Sequence, residues 1–250
     1  MAGRRRSEES SAGNAAGGVS PSLLSRAYDG IRQRILSGLL APGTRLDYQK
    51  LAAELGLSTT PVREAMGHLA SEGFVDLVPR MGAVVKQLSR QDLTDIFGLR
   101  EAIETYAASR VAGRLSSRRL AQMEDYWKAM EKAVGKLSDK PGAALSGSDL
   151  RAFLENDAAF HLTMIAALEN ERISKLASDG QLHLVLFNTA NPRHTKDLLL
   201  HANREHRKIL DALQHGDGIE AARLLGEHIR NSLEGKLEAL RPAGGVLRFA

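Results

Sequence analysis

Leu51-Ala52-Ala53-Glu54-Leu55-Gly56-Leu57-Ser58-Thr59-Thr60-Pro61-Val62-Arg63-Glu64-Ala65 is the stretch that decides the fold. Leu51, Ala52 and Leu55 lie at helical spacing, and Gly56 ends that short helix. A second helix opens at once. Ser58 or Thr60 can cap it, and Pro61 is tolerated in the first turn, where a backbone N–H has no intrahelical partner. Its inward stripe is Val62, Met66, Leu69 and Ala70. Two short helices joined by a glycine turn are the core of a helix-turn-helix.

Upstream, Leu24, Ala27, Ile31 and Ile35 recur at three- and four-residue steps, so a helix runs from Ser22 to near Gly38. Pro42-Gly43 forces a turn, and Asp47 or a neighbour starts the helix that carries Leu51. Downstream, Gly73 breaks the chain before two apolar runs, Phe74 to Val78 and Ala83 to Val85, separated by Pro79-Arg80-Met81-Gly82. That is a β-hairpin with a basic tip. Residues 21–88 therefore read as a winged helix-turn-helix domain.

Beyond residue 88 the strand signals vanish. Six helical segments follow, near 90–114, 116–136, 149–168, 171–190, 194–215 and 217–239, and residues 89–240 read as an all-α, six-helix ligand-binding bundle. The stretch 138–148, with Pro141, two glycines and three serines, is a loop inside it. Residues 1–20 are rich in Gly, Ser, Ala and Arg and read as a flexible tail; 241–250 form a second tail. The expected fold is mainly α.

Composition narrows the function. Hydrophobic content is 43% and charged content 26%, as in an ordinary globular protein. No run is apolar enough to span a membrane, and the N-terminus lacks the apolar core of a signal peptide, so a cytoplasmic protein without a membrane partner is expected. The absence of cysteine excludes disulfides and thiolate chemistry. Net charge is only +4, so bulk charge does not identify a nucleic-acid binder.

Local charge does. With Val62, Met66 and Leu69 inward, Thr59, Thr60 and Arg63 project from the N-terminal turn of the third helix, where free N–H groups also favour a phosphate. Arg63 suits a phosphate or the O6/N7 edge of guanine, although a surface ion pair with Glu64 is the simpler account of it alone. Arg45, Gln49 and Lys50 are further candidates for DNA contact.

In the second half, ionisable residues stand on apolar stripes. Asp157 and His161 lie one turn apart between Leu154 and Leu168; His206 continues into Ile209, Leu210 and Leu213; His228 follows Ala221, Leu224 and Leu225. Burying a carboxylate beside imidazoles costs several kcal/mol unless something compensates it, and a divalent cation does so. One oxygen and three nitrogen donors suit Zn²⁺, Ni²⁺, Mn²⁺ or Fe²⁺. Individually, each histidine is as well explained by a hydrogen bond within the core. Arg100, beside Ile96 and Phe97, has the planar fork to clamp a carboxylate, and Glu104 one turn on offers it a plain ion pair. Asn170 at a helix junction either lines a pocket or caps a helix.

The string 51–65, followed by Leu69, Glu72-Gly73 and Pro79-Arg80-x-Gly82-x-x-Val85, resembles the GntR family of transcription regulators over about residues 22–88. The resemblance implies that Thr59, Thr60 and Arg63 touch double-stranded operator DNA and that Arg80 and Gly82 form a wing tip entering the minor groove. Where many members carry arginine this chain has Thr59, which suits a phosphate or a thymine methyl. Asp157-x-x-Phe160-His161, Glu205-His206-Arg207-x-Ile209-Leu210 with Asp217, and His228 resemble the FCD ligand-binding domain of one GntR branch over about residues 90–240. That likeness implies Asp157, His161, His206 and His228 as metal ligands, and six helices are more similar to the VanR-type subgroup than to the seven-helix FadR type. His68, His183, His194, His201 and His215 match no ligand position.

The expected protein is a homodimeric regulator, not an enzyme. It is a repressor by the habit of the family, and a small organic acid reaching the metal and Arg100 alters its grip on an operator. Two alternatives stand beside it: a sensor of the metal itself, and a metal-dependent hydrolase, for which no His-Glu-x-x-His motif is present.

Overall fold

The computed structural model describes residues 22–140, 142–190 and 194–240. The expected tails, 1–20 and 241–250, lie outside the described residues, as does Pro141 of the 138–148 loop.

Helix α1 (Leu23–Leu36) begins where the Ser22 hydroxyl accepts a hydrogen bond from the Ser25 amide, and buries Ala27, Ile31 and Ile35. Helix α2 (Tyr48–Leu55) is capped by Asp47, whose Oδ1 accepts from the Gln49 and Lys50 amides at 2.8 and 3.1 Å; Gly56 ends it in the left-handed conformation. Helix α3 (Thr59–Ser71) starts after Ser58, which makes no side-chain capping bond. Its buried face is Pro61, Val62, Ala65, Met66 and Leu69. The three helices enclose one small core with Phe74, Val75, Ala83 and Val85.

Three strands, not two, complete this half. Between the Pro42-Gly43 turn and the Asp47 cap the chain extends for two residues, β1 (Arg45–Leu46), too short for any alternation to show in sequence. It pairs antiparallel with β3 (Gly82–Val85), which also pairs with β2 (Val75–Val78), giving the order β1-β3-β2. At the hairpin tip Pro79 and Arg80 occupy the central positions of a turn closed by the Met81 amide on the Val78 carbonyl, 3.1 Å. Proline followed by a residue at positive φ defines a type II turn, a place for glycine or asparagine. Arg80 sits there with φ 66°, a strained conformation for a long side chain.

The second half is built from α4 (Arg90–Val111), α5 (Ser117–Gly135), α6 (Gly147–Ala166), α7 (Glu171–Ala190), α8 (Lys196–His215) and α9 (Gly218–Ala239). A capping box between Ser89 and Asp92 opens α4, and Asp217 caps α9 through the Glu220 amide. Helix α4 packs on α9, α9 on α8, α8 on α5, α5 on α6, and α6 on α7. Phe97, Met123, Met130, Phe160, Met164, Ile209, Leu210 and Leu225 lie in the shared core. The 138–148 loop is pinned against the turn before α8: Ala144 bridges Thr195, and the Leu145 amide reaches the His194 carbonyl at 3.1 Å.

The two cores meet at α7. Leu182 packs on the first core, and the His183 ring stacks on Phe74 with centroids 4.9 Å apart. The Arg32 guanidinium lies 5.5 Å from the same Phe74 ring, and Arg151 donates to the Ser37 carbonyl at 3.0 Å.

Gly113 and Gly216 let the ends of α4 and α8 cross closely. Gly113 has φ 71°, its amide donates to the Leu213 carbonyl at 3.1 Å, and a Cβ there would meet Gly216 Cα at 3.1 Å. Gly113→Ala is expected to cost about 1–3 kcal/mol, lowering Tm by roughly 2–10 °C for a chain of this size. Gly98→Ala, in the open middle of α4, is expected to leave Tm level or raise it. Calorimetry of both variants checks this; a Gly113→Ala protein melting with the parent would show that the crossing is not tight.

Candidate nucleic-acid interface and candidate metal centre

On the first half, the sequence-selected residues are exposed together. Thr59, Thr60 and Arg63 stand on the open side of the first turns of α3, and Gln49 and Lys50 on the open side of α2. Arg45, Gln49, Arg80 and Gly82 line one concave surface between the wing and the start of α2, with Tyr48 and Met81. The Arg63 guanidinium lies 6.0 Å from the Tyr48 ring, a support that the sequence reading overlooked. Among the described residues Arg45, Lys50, Arg63 and Arg80 have no salt bridge, so the ion pair of Arg63 with Glu64 is not formed. Asp47 also lines this surface, its Oδ1 held by the amides it caps; exposed bases without salt-bridge partners suit a polyanion.

In the second half, α6, α8 and α9 bring Asp157, His161, His206 and His228 together. One donor atom from each lies within 4.8 Å of all the others. His161 Nε2 and His206 Nε2 are 3.1 Å apart, and His206 Nε2 is 3.3 Å from Asp157 Oδ1. Two ligands bound about 2.1 Å from one ion stand about 3.0–3.4 Å apart, so these gaps are those of neighbouring ligands. All three imidazoles are buried.

Two carboxylates hold the rings from behind, and neither role was foreseen. Glu104 Oε2 lies 2.7 Å from His161 Nδ1, while its other oxygen accepts from Arg100 Nε at 2.7 Å. Glu205 Oε2 lies 2.8 Å from His228 Nδ1, and its Oε1 accepts from the Asn231 amide. The Glu205–His228 contact is a hydrogen bond, and a carboxylate bonded to Nδ1 fixes the proton there and leaves Nε2 with a lone pair facing the cluster; Glu104 stands at the same nitrogen of His161 by distance alone. The legible signals were the four-residue step from Arg100 to Glu104 and the acid preceding His206.

The electrostatics agree with neutral rings at His206 and His228. Burial pushes His206 well below the ordinary imidazole value of 6.5, and pushes His228 down although Glu205 opposes it. Burial alone would raise the Glu104 carboxyl, but Arg100 and then His161 outweigh it and hold it well below the usual carboxylate range. The donor set therefore offers lone pairs where a cation would sit.

A cavity of about 130 Å³ opens beside the cluster, lined by Asp157 and His228 with Phe153, Leu154, Asn188 and Lys236 among others. Its inner continuation is lined by Arg100, Gln181 and Leu184 together with the shared Asp157, His228 and Lys236. Burial lowers His194, another wall residue, to about 4, and Lys236, on the last helix, to about 8. Sequence reasoning set His194 aside and did not consider Lys236. Asn170 is not brought into the cavity: its Oδ1 accepts from the Arg172 and Ile173 amides, capping α7. Of the other histidines, His201 pairs with Glu205 at 3.0 Å, and His183 is the ring stacked on Phe74.

Comparison with known proteins agrees with both halves. Residues 23–85 match the model of bacterial regulatory proteins of the gntR family, and residues 95–231 match the FCD domain. The chain is 31% identical over 207 residues to the "Probable D-xylose utilization operon transcriptional repressor" of Paenarthrobacter nicotinovorans, covering 83% of this chain and 85% of that one. It is 29% identical to the HTH-type transcriptional repressor RspR of Escherichia coli K12, over 83% of this chain and 86% of that one. The structure of E. coli McbR/YncC superposes with a TM-score of 0.71 at 19% identity, covering 89% of this chain and 100% of that one, a likeness of fold. The chain belongs to the GntR family of DNA-binding transcriptional regulators, in the branch that carries an FCD domain.

Proposed function

We propose that this regulator is a homodimeric repressor whose hold on its operator is released by a small organic acid bound at a metal held by Asp157, His161, His206 and His228. The observation that carries the reading is the convergence of four donor atoms, two of which, from Asp157 and His228, border a pocket that also contains Arg100. Bound there, a divalent ion supplies a Lewis-acidic anchor for a carboxylate. Glu205 holds His228 in the ligating tautomer, Glu104 stands at the same nitrogen of His161, and Arg100 faces the inner end of the cavity. The operon repressors among the relatives support repression.

Thr59, Thr60 and Arg63 are assigned to the major groove, Arg80 and Gly82 to the minor groove at the wing, with Arg45, Gln49 and Lys50 on the flanking backbone. One winged helix-turn-helix reads one half-site, so a two-fold dimer is the economical reader of a palindrome. Helix α7 is suited to transmit ligand binding: Gln181, Leu184 and Asn188 face the cavity, while Leu182 and His183 contact the DNA-reading domain. A ligand that binds two settings of this joint unequally shifts the spacing of paired heads.

The direct test selects an operator fragment from random DNA, then titrates Zn²⁺ or Mn²⁺ and small carboxylic acids separately against binding. Release by an acid only in the metal-loaded protein is expected. Release by metal alone would make the ion the signal, and turnover of an acid would make the protein an enzyme. The His206→Ala/His228→Ala pair is expected to lose metal and acid response while still binding DNA.

Arg63→Ala is expected to remove about 1–3 kcal/mol of operator binding. Arg80→Gly is expected to relieve the positive-φ strain, leaving Tm level or higher, while weakening operator binding about tenfold; gel shifts and melting curves measured together check the pair. Unchanged affinity in both variants would remove the DNA assignment.

The histidine values set a pH dependence in the metal-free protein. His206 and His228 titrate lower folded than the 6.5 of an unfolded chain, so below 6.5 the unfolded state binds more protons. Stability is then fully present above about pH 7 and declines as pH falls through 6.5 toward the folded values. Tm of the metal-free protein should fall between pH 7 and 5, less steeply in the double variant. A flat profile over that interval would contradict neutral buried rings.

A further inference from the structure

We infer that the effector is a short dianion with an acidic group at each end, one received at the metal-ligand cluster and the other between Arg100 and Lys236. This rests on the proposed metal-and-acid reading and specifies its ligand.

The two cations share a ring. The Arg100 guanidinium carbon lies 5.2 Å and Lys236 Nζ 5.8 Å from the Phe97 centroid. One carboxylate is hydrogen-bonded to them: Glu104 binds Arg100 Nε with one oxygen and turns the other toward His161. Asp157 faces the same pocket and acts on both cations only through space, its oxygen turned to His206 at 3.3 Å, where the proposed metal would engage it. Lys236 has no hydrogen bond or salt bridge among the described residues. Like charges held together in a sheltered place are costly unless an anion joins them.

The unused hydrogen bonds point the same way. Arg100 is 6% exposed and its Nη2 has no acceptor; Gln181 is 4% exposed and its Nε2 has none. Both residues line the inner cavity with Lys236. Arginine and lysine can only donate, and the free Gln181 atom is also a donor, so the group that completes them must accept several hydrogen bonds and carry negative charge. Carboxylate and phosphate meet that description. A hydroxyl or a water supplies lone pairs without neutralising the second cation.

Asp157 and His228 of the cluster border both the inner pocket and the outer chamber. Leu154 and Leu184 line the walls between, suited to a methylene middle. The outer chamber is about 130 Å³ and the inner pocket with Arg100 and Gln181 about 20 Å³, the first about ten times and the second about one to two times what one ordered water requires. A four- to six-carbon dicarboxylate, with eight to ten non-hydrogen atoms, is the matching size.

The test uses the full chain loaded with Zn²⁺, its uptake first measured by calorimetry and elemental analysis against the His206→Ala/His228→Ala variant. Succinate, glutarate and adipate are then titrated beside chain-matched butyrate, valerate and hexanoate, with gluconate as a hydroxylated monoanion and 3-phosphoglycerate as a carboxylate whose second acidic group is a phosphate. At least one dianion should bind tenfold or more tightly than its monoanion partner. Lys236→Met should erase that advantage while leaving Zn²⁺ stoichiometry and monoanion affinity unchanged, and Lys236→Arg should restore part of it. Preference for 3-phosphoglycerate would make the second group a phosphate, and preference for a dicarboxylate a carboxylate. Equal affinity for both members of every pair, equal weakening of both by Lys236→Met, or no binding by any dianion to Zn²⁺-loaded protein would overturn the inference. Failure to take up Zn²⁺ at all would instead sink the metal reading on which it rests.

Discussion

The second domain is organised by the need to keep three imidazoles and their carboxylates inside a helical bundle. An unpaired charge in such a place costs several kcal/mol, more than a point substitution usually takes from a protein. The chain meets the constraint in layers: Glu104 behind His161, Glu205 behind His228, and Arg100 beside Glu104. These contacts tie α4 to α6 and α8 to α9, so the helix packing and the polar cluster cannot change independently. A cation-sized gap between facing Nε2 atoms follows from that arrangement and does not need to be built separately.

Helix α7 gives the cluster its route to the DNA-reading half. One turn carries Gln181 toward the cavity and Leu182 and His183 toward the first core, so successive residues serve different domains. The joint is small and partly polar: a stacked imidazole on Phe74, a guanidinium near the same ring, and Arg151 on a helix-end carbonyl. Contacts of this kind, unlike a large apolar interface, leave relative domain motion available. A rigid bundle and an adjustable joint together are what an allosteric reading of the family requires.

Much of this was legible in sequence because the relevant signals are local. The glycine turn at Gly56, the Asp47 cap, the hairpin around Pro79 and six periodic segments all report on residues within a few positions of one another. The four candidate ligands were legible as a group: each alone has an ordinary account as a core hydrogen-bonding residue, but their combination on apolar stripes, with the FCD-like spacing, singled them out. Strand β1 was missed because two residues cannot show a period, and its existence depends on β3, forty residues away. The supporting carboxylates, His194 and Lys236 were missed for a related reason: their roles arise from contacts across helices, such as His228 with Glu205 and Lys236 with Phe97. Asn170 had two local readings, and the capping one is the one formed.

The two halves share one electrostatic device. On the winged domain Arg45, Lys50, Arg63 and Arg80 face outward without a salt bridge among the described residues, although Asp47, Glu54, Glu64 and Asp76 are close in sequence. Elsewhere on the surface several bases are paired: Arg34 with Glu54, Lys128 with Glu124, Lys175 with Asp179, Arg207 with Asp211 and Arg223 with Glu220 and Glu227. Helix-surface pairing is inexpensive to form, so its absence in one patch leaves that patch with an uncompensated field. The same logic holds inside the bundle, where Lys236 and the outer nitrogen of Arg100 make no hydrogen bond to a carboxylate while His228 and Asn231 do. In both places positive charge without an internal partner sits where an anion from outside can reach it, a long polyanion on the open face and a short one in the closed cavity.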